Sequence, residues 1–110
     1  MNALIENHKD KIFELCERNH VKSLYLFGSV TDTSRFTEES DIDILVSFKM
    51  EEITLEEYTD AYFNLLFNLE DLLGKEIDII TERSVSNPFF KEELENTKVL
   101  LFDSLAAANG

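Results

Sequence analysis

The run Ser40-Asp41-Ile42-Asp43-Ile44-Leu45-Val46-Ser47-Phe48 constrains this chain more than any other stretch. Its β-branched and aromatic residues favour a strand, and side chains on a strand alternate between two faces. Asp41 and Asp43 therefore share one face, with Cα atoms roughly 7 Å apart, while Ile42, Ile44, Val46 and Phe48 share the other. The apolar face demands a buried layer beneath it. The acidic face is different, because two like charges side by side repel and are useful mainly beside a cation. Mg²⁺ is a hard ion that takes one or two carboxylates together with substrate phosphate oxygens. The pair therefore reads as a metal-nucleotide seat, with Mn²⁺ as a substitute ion.

The residues leading into this strand suit such a seat. Val21 to Phe27 has strand character and ends at Gly28-Ser29. Glycine there lets the backbone approach a ligand, and Ser29 offers a hydroxyl and an N–H to phosphate oxygens. Gly-Ser is also an ordinary turn, so the dipeptide gains meaning only from its neighbours. Residues 30 to 39 form a polar connection that holds Arg35, read either as a solvated loop charge or as a triphosphate contact. Ser40, directly before Asp41, joins the nucleotide-side candidates.

Helices and two further strands complete the pattern. Apolar residues at helical spacing predict a helix over Met1–His20. Cys16 lies in its apolar stripe as a small core residue, and His8 and His20 have packing or surface roles. Thr54 followed by Glu57 has capping-box spacing and opens an amphipathic helix that ends at Gly74. Glu76 to Thr81 reads as a third strand with Asp78 among isoleucines. A lone aspartate in such a strand is either an edge charge that blocks aggregation or a third carboxylate for the seat. Asn87-Pro88 opens a short helix to Glu95. Thr97–Phe102 is expected to be a closing strand, and 105–110 a frayed, unpatterned tail. Residues 1–104 are thus expected to form a single α/β (α+β) domain.

Composition narrows the function. The formal charge of −13, with only 10 basic residues, speaks against a surface for nucleic-acid phosphates, which need clustered Lys and Arg. It suits recruitment of cations or docking on a basic partner. One cysteine allows no internal disulfide, and nine Phe with no Trp imply a Phe-rich core. No apolar run is long enough for a membrane span and no signal-peptide pattern opens the chain, so a cytoplasmic location is expected.

The stretch GSVTDTSRFTEESDIDILV resembles the signature of the minimal nucleotidyltransferases, a branch of the DNA polymerase beta-like superfamily. The pattern is Gly-Ser, a spacer, Asp-x-Asp on a strand and a carboxylate on a later strand, here Gly28, Ser29, Asp41, Asp43 and Asp78. One departure stands out. Many relatives carry Ala-Arg-Gly after Gly-Ser-x, whereas this chain has Thr31-Asp32-Thr33 and its arginine later, at Arg35. The resemblance implies a small mixed β-sheet flanked by helices. It also implies two Mg²⁺ ions on Asp41, Asp43 and Asp78, ATP as substrate, and attack of an acceptor hydroxyl on the α-phosphate. Asp78 would complete a second metal position or act as base. Stand-alone members of the family are often encoded beside a small helical HEPN toxin, and the resemblance implies an antitoxin that transfers AMP to a tyrosine of that toxin. Two other readings stay open: an antitoxin that only binds, and a small-molecule nucleotidyltransferase completed by homo-oligomerisation.

Overall fold

The computed structural model describes residues 2–32 and 34–109. In chain order the elements are α1 (Ala3–Asn7), α2 (Lys9–Arg18), β1 (Val21–Phe27), β2 (Ile42–Phe48), α3 (Leu55–Leu73), β3 (Ile77–Thr81), α4 (Pro88–Thr97), β4 (Val99–Asp103) and α5 (Ser104–Asn109). Short 3₁₀ turns cover Gly28–Thr31 and Glu82–Ser84. The four strands form one sheet in the order β3-β2-β1-β4. β2 runs parallel to β3, while β1 is antiparallel to both β2 and β4. This is the mixed sheet with flanking helices that the resemblance implies.

One sheet face carries the main core. Leu24 and Leu26 of β1 and Ile42, Ile44, Val46 and Phe48 of β2 are buried there with Ile12, Leu15 and Cys16 of α2 and Ala61, Leu65, Leu69 and Leu73 of α3. The α3 residues recur every four positions, so they form the single stripe that a 3.6-residue period requires. Each buried leucine contributes about 1.5–3 kcal/mol. Both ends of α3 are written locally. Thr54 Oγ1 accepts from Glu57 N–H at 3.1 Å, and Glu57 Oε1 accepts from Thr54 N–H at 3.1 Å. Gly74 closes the helix in the left-handed region, at φ +65°. Burial pushes the Cys16 thiol up to about 12, which leaves it an inert core residue.

Three boundaries differ from the sequence expectation. The first helix breaks at His8, whose φ of −119° and ψ of 12° leave the helical region. His8 Nδ1 lies 2.9 Å from Leu4 O, so the ring donates to a helical carbonyl, and Asn7-His8 is a pair of weak helix formers. α4 runs on to Thr97, so β4 is delayed to Val99–Asp103. Residues Ser104–Asn109 form a short helix where no pattern was expected. Asp103 Oδ1 accepts from Leu105 N–H at 2.9 Å and caps its start, and the alanines that follow favour helix.

Candidate active site

Register alone arranges the second sheet face in rows. Asp78 of β3 is aligned with Asp43 of β2, and Asp43 with Phe27 of β1. The next row holds Ile80, Leu45, Tyr25 and Leu100. Lys98, at the end of α4, lies over the Tyr25 ring at 4.1 Å, so α4 borders this face. The acidic row lies at the start of β2 and β3, next to the turn that leaves β1. Asp41 stands one residue before β2 and is exposed, as is Asp78, while Asp43 is half-buried.

Asp43 is the centre of the group. Burial is the first cause that pushes its carboxyl above the ordinary value of 3.8. The charge of Asp78 and a hydrogen bond with it come next, followed by the charge of Asp41. Asp78 and Asp41 are therefore each close enough to act on Asp43. The turn out of β1 closes directly onto Asp43. Gly28 has φ +71°, and a Cβ placed on it would meet Asp43 Oδ2 at 2.5 Å and Cγ at 3.4 Å. Backbone conformation and space both require glycine there.

The remaining candidates are more dispersed. Ser29 belongs to the 3₁₀ turn, where its carbonyl accepts from Asp32 N–H at 3.0 Å and Gly28 O accepts from Thr31 Oγ1 at 2.7 Å. Ser40 uses its hydroxyl within the loop, accepting from Thr37 N–H at 2.9 Å and lying 3.2 Å from Thr37 Oγ1. Arg35 is exposed and forms no ion pair with Asp41, Asp43 or Asp78. Its backbone N–H donates to Asp32 O at 3.0 Å. The structure thus brings Gly28, Asp41, Asp43 and Asp78 together and leaves Arg35 apart.

The donor set fits a hard divalent cation. It consists of oxygens only, and mutual repulsion gives the carboxylates a reason to accept positive charge. Among the described residues, however, no group of three His, Cys, Asp or Glu side chains is gathered into a ready metal cage. The seat is an open one, suited to an ion whose other ligands arrive with the substrate.

Residues 10–105 match the family described as Polymerase beta, Nucleotidyltransferase. The chain belongs to that family. Among curated relatives of this nucleotidyltransferase, "Putative protein adenylyltransferase MJ1379" of Methanocaldococcus jannaschii is 39% identical over 95 residues, covering 86% of this chain and 88% of the relative. "Putative protein adenylyltransferase MJ0126" of the same organism is 34% identical over 106 residues, covering 92% and 94%. Two solved structures agree with the fold. A "putative minimal nucleotidyltransferase" superposes with a TM-score of 0.67 at 31% identity, covering 90% of this chain and 95% of the other. A "toxin-antitoxin with AMP-PNP" gives 0.66 at 27% identity, covering 86% and 73%.

Sequence reasoning missed one residue of this nucleotidyltransferase that bears on the site. Lys75 Nζ donates to the carbonyls of Thr37, Glu38 and Ser40 at 3.3, 2.6 and 3.2 Å. The only local signal was a lysine directly after a helix-ending glycine, which reads as a solvated charge.

Proposed function

We propose that this nucleotidyltransferase moves AMP from ATP to a hydroxyl of a partner protein, a tyrosine of a small helical HEPN-type toxin, and so serves as that toxin's antitoxin. The observation that carries the proposal is the alignment of Asp43 with Asp78 across adjacent strands, beside Asp41 and closed by Gly28. The curated relatives are named for protein adenylylation, and a structural neighbour is a toxin–antitoxin complex holding an ATP analogue. The relatives' names support adenylyl transfer to a protein, and the neighbour supports a nucleotide bound in a toxin–antitoxin setting.

The roles follow from position. Asp41 and Asp43 would hold Mg²⁺, and Asp78 a second ion. The ions, when bound, would neutralise triphosphate charge and stabilise the attacking and leaving oxygens. Gly28 leaves the backbone open to the β and γ phosphates, with the Ser29 hydroxyl and N–H as donors. Ser40 would shape the approach of Asp41 through its bonds to Thr37. The acceptor hydroxyl attacks the α-phosphorus, and the bond to the β-phosphate oxygen breaks with pyrophosphate leaving. An Asp78 carboxylate left unliganded would take the acceptor's proton. Most of the rate then comes from positioning and charge neutralisation.

The test uses the purified chain, a small helical HEPN-type protein as candidate partner, ATP labelled at the α-phosphate, and Mg²⁺. Label should move to a tyrosine of that partner, and EDTA should stop it. Tight binding of the partner without label transfer would leave an antitoxin that acts by masking, and would overturn the enzymatic reading.

A further inference from the structure

We propose that Lys75 is the positioning residue of the site, a clamp that sets how Asp41 meets Asp78. The inference rests on the metal-nucleotide reading of the three carboxylates. Lys75 lies between Gly74, which ends α3, and β3, and it reaches back to a segment more than thirty residues earlier in the chain. An ammonium has three N–H donors, and here three carbonyls take them: Thr37, Glu38 and Ser40. Its Nζ also lies 4.9 Å from the centre of the Phe36 ring, an attractive placement for a cation. One side chain thus touches four of the five successive residues from Phe36 to Ser40, all but Glu39, and holds the segment in a turn around itself.

That turn delivers the first carboxylate. Asp41 follows Ser40 directly, and Asp78 lies three residues beyond Lys75. The same junction is fastened twice more. Ile42 N–H donates to Glu76 O at 3.0 Å, and Ile77 N–H donates to Glu70 Oε2 at 3.2 Å. Ile42 and Ile77 are also register partners where β2 and β3 begin. Beyond that pair the ladder fixes Asp43 against Asp78. Asp41, outside the strand and exposed, has no ladder to hold it. Lys75 supplies what the ladder does not. This accounts for a half-buried lysine that forms no ion pair among the described residues of a chain of net charge −13. Its charge is spent on carbonyl dipoles, which a guanidinium cannot match with the same compact geometry.

The test compares wild type with Lys75→Met, which keeps the stem and removes the donors, and with Lys75→Arg. Val21→Ala, a core change where β1 begins and pairs with Phe48 at the other end of β2 from Asp43, serves as a control for general destabilisation. Amide hydrogen exchange comes first and needs no ligand. In Lys75→Met the amides of residues 37–42 should exchange at least 10-fold faster, while those of β1 and α3 keep their protection. Binding of a non-hydrolysable ATP analogue, titrated with Mg²⁺ below every variant's Tm, comes second. The Mg²⁺ concentration for half-maximal binding should rise at least 10-fold in Lys75→Met, less in Lys75→Arg, and not at all in Val21→Ala. A purely structural lysine would lower Tm and leave the Mg²⁺ dependence unchanged, which overturns the inference. Wild-type binding indifferent to Mg²⁺ would instead bring down the metal reading, and this inference with it.

Discussion

Replacing Asp43 by Asn should make the metal-free protein more stable while ending nucleotide transfer. Asn has nearly the same shape, so Gly28 keeps its close neighbour and the strand keeps its packing. What changes is charge. Asp43 and Asp78 are register partners on adjacent strands, which puts their charges about 5 Å apart. At an effective dielectric of roughly 40–80, two unit charges at that distance repel by about 0.8–1.7 kcal/mol. Asp41, about 7 Å away, adds about 0.6–1.2 kcal/mol by the same relation. Salt screening reduces the sum to about 1–2 kcal/mol. For a domain of this size that is a rise in Tm of about 4–8 °C. The assay is thermal unfolding in EDTA followed by circular dichroism, paired with AMP transfer in Mg²⁺. A Tm below that of wild type in EDTA would refute the reasoning, since it would make the carboxylate a structural group.

Gly28→Ala should destabilise the fold by the roughly 1–2 kcal/mol that a left-handed residue costs, seen as a lower Tm, and should cut transfer because the new methyl displaces Asp43; unfolding and transfer assays on one preparation check both. Asp78→Ala should slow transfer about 100-fold or more while weakening binding of the Mg²⁺-ATP analogue far less than Asp43→Ala does. Normal transfer by a soluble Asp78→Ala protein would leave Asp78 as an edge-strand charge only. The pH dependence follows from the raised Asp43 carboxyl. The folded chain takes up that proton at higher pH than the unfolded chain, so folding binds more protons in between, and stability from this group grows as pH falls. The Tm advantage of Asp43→Asn over wild type in EDTA should therefore be full near neutrality. It should shrink as pH falls through the raised value toward the ordinary 3.8, as unfolding at stepped pH will show.

How much of this could be read beforehand depends on where the determinants lie in the chain. β2 announces itself because Ile42, Ile44, Val46 and Phe48 keep one face apolar while Asp43 and Ser47 mark the other, and α3 because Thr54, Glu57 and Gly74 are local signals with local partners. The pairing of Asp43 with Asp78 is different. The sequence offers both aspartates, but only the parallel register of β2 and β3 puts them side by side. Asp78 proves to be on an edge strand as well as next to Asp43, so both of its readings hold geometrically. The break at His8 follows from a ring-to-carbonyl bond that no periodicity encodes. Ser40 reads as a ligand-facing hydroxyl, yet its partner is Thr37, three residues away. Lys75 escapes any local reading because its contacts are with a loop 35 to 38 residues distant. Local caps and periods are legible; contacts that close long loops are not.

Isothermal titration of the wild-type chain with a non-hydrolysable ATP analogue, in Mg²⁺ and then in EDTA, tests the central claim most directly. Three converging carboxylates should repel a bare triphosphate and accept it only with the metal. Binding should be measurable in Mg²⁺, vanish in EDTA, and be lost in Mg²⁺ when Asp41 or Asp43 is changed to Asn. Equal affinity in Mg²⁺ and in EDTA would contradict the account.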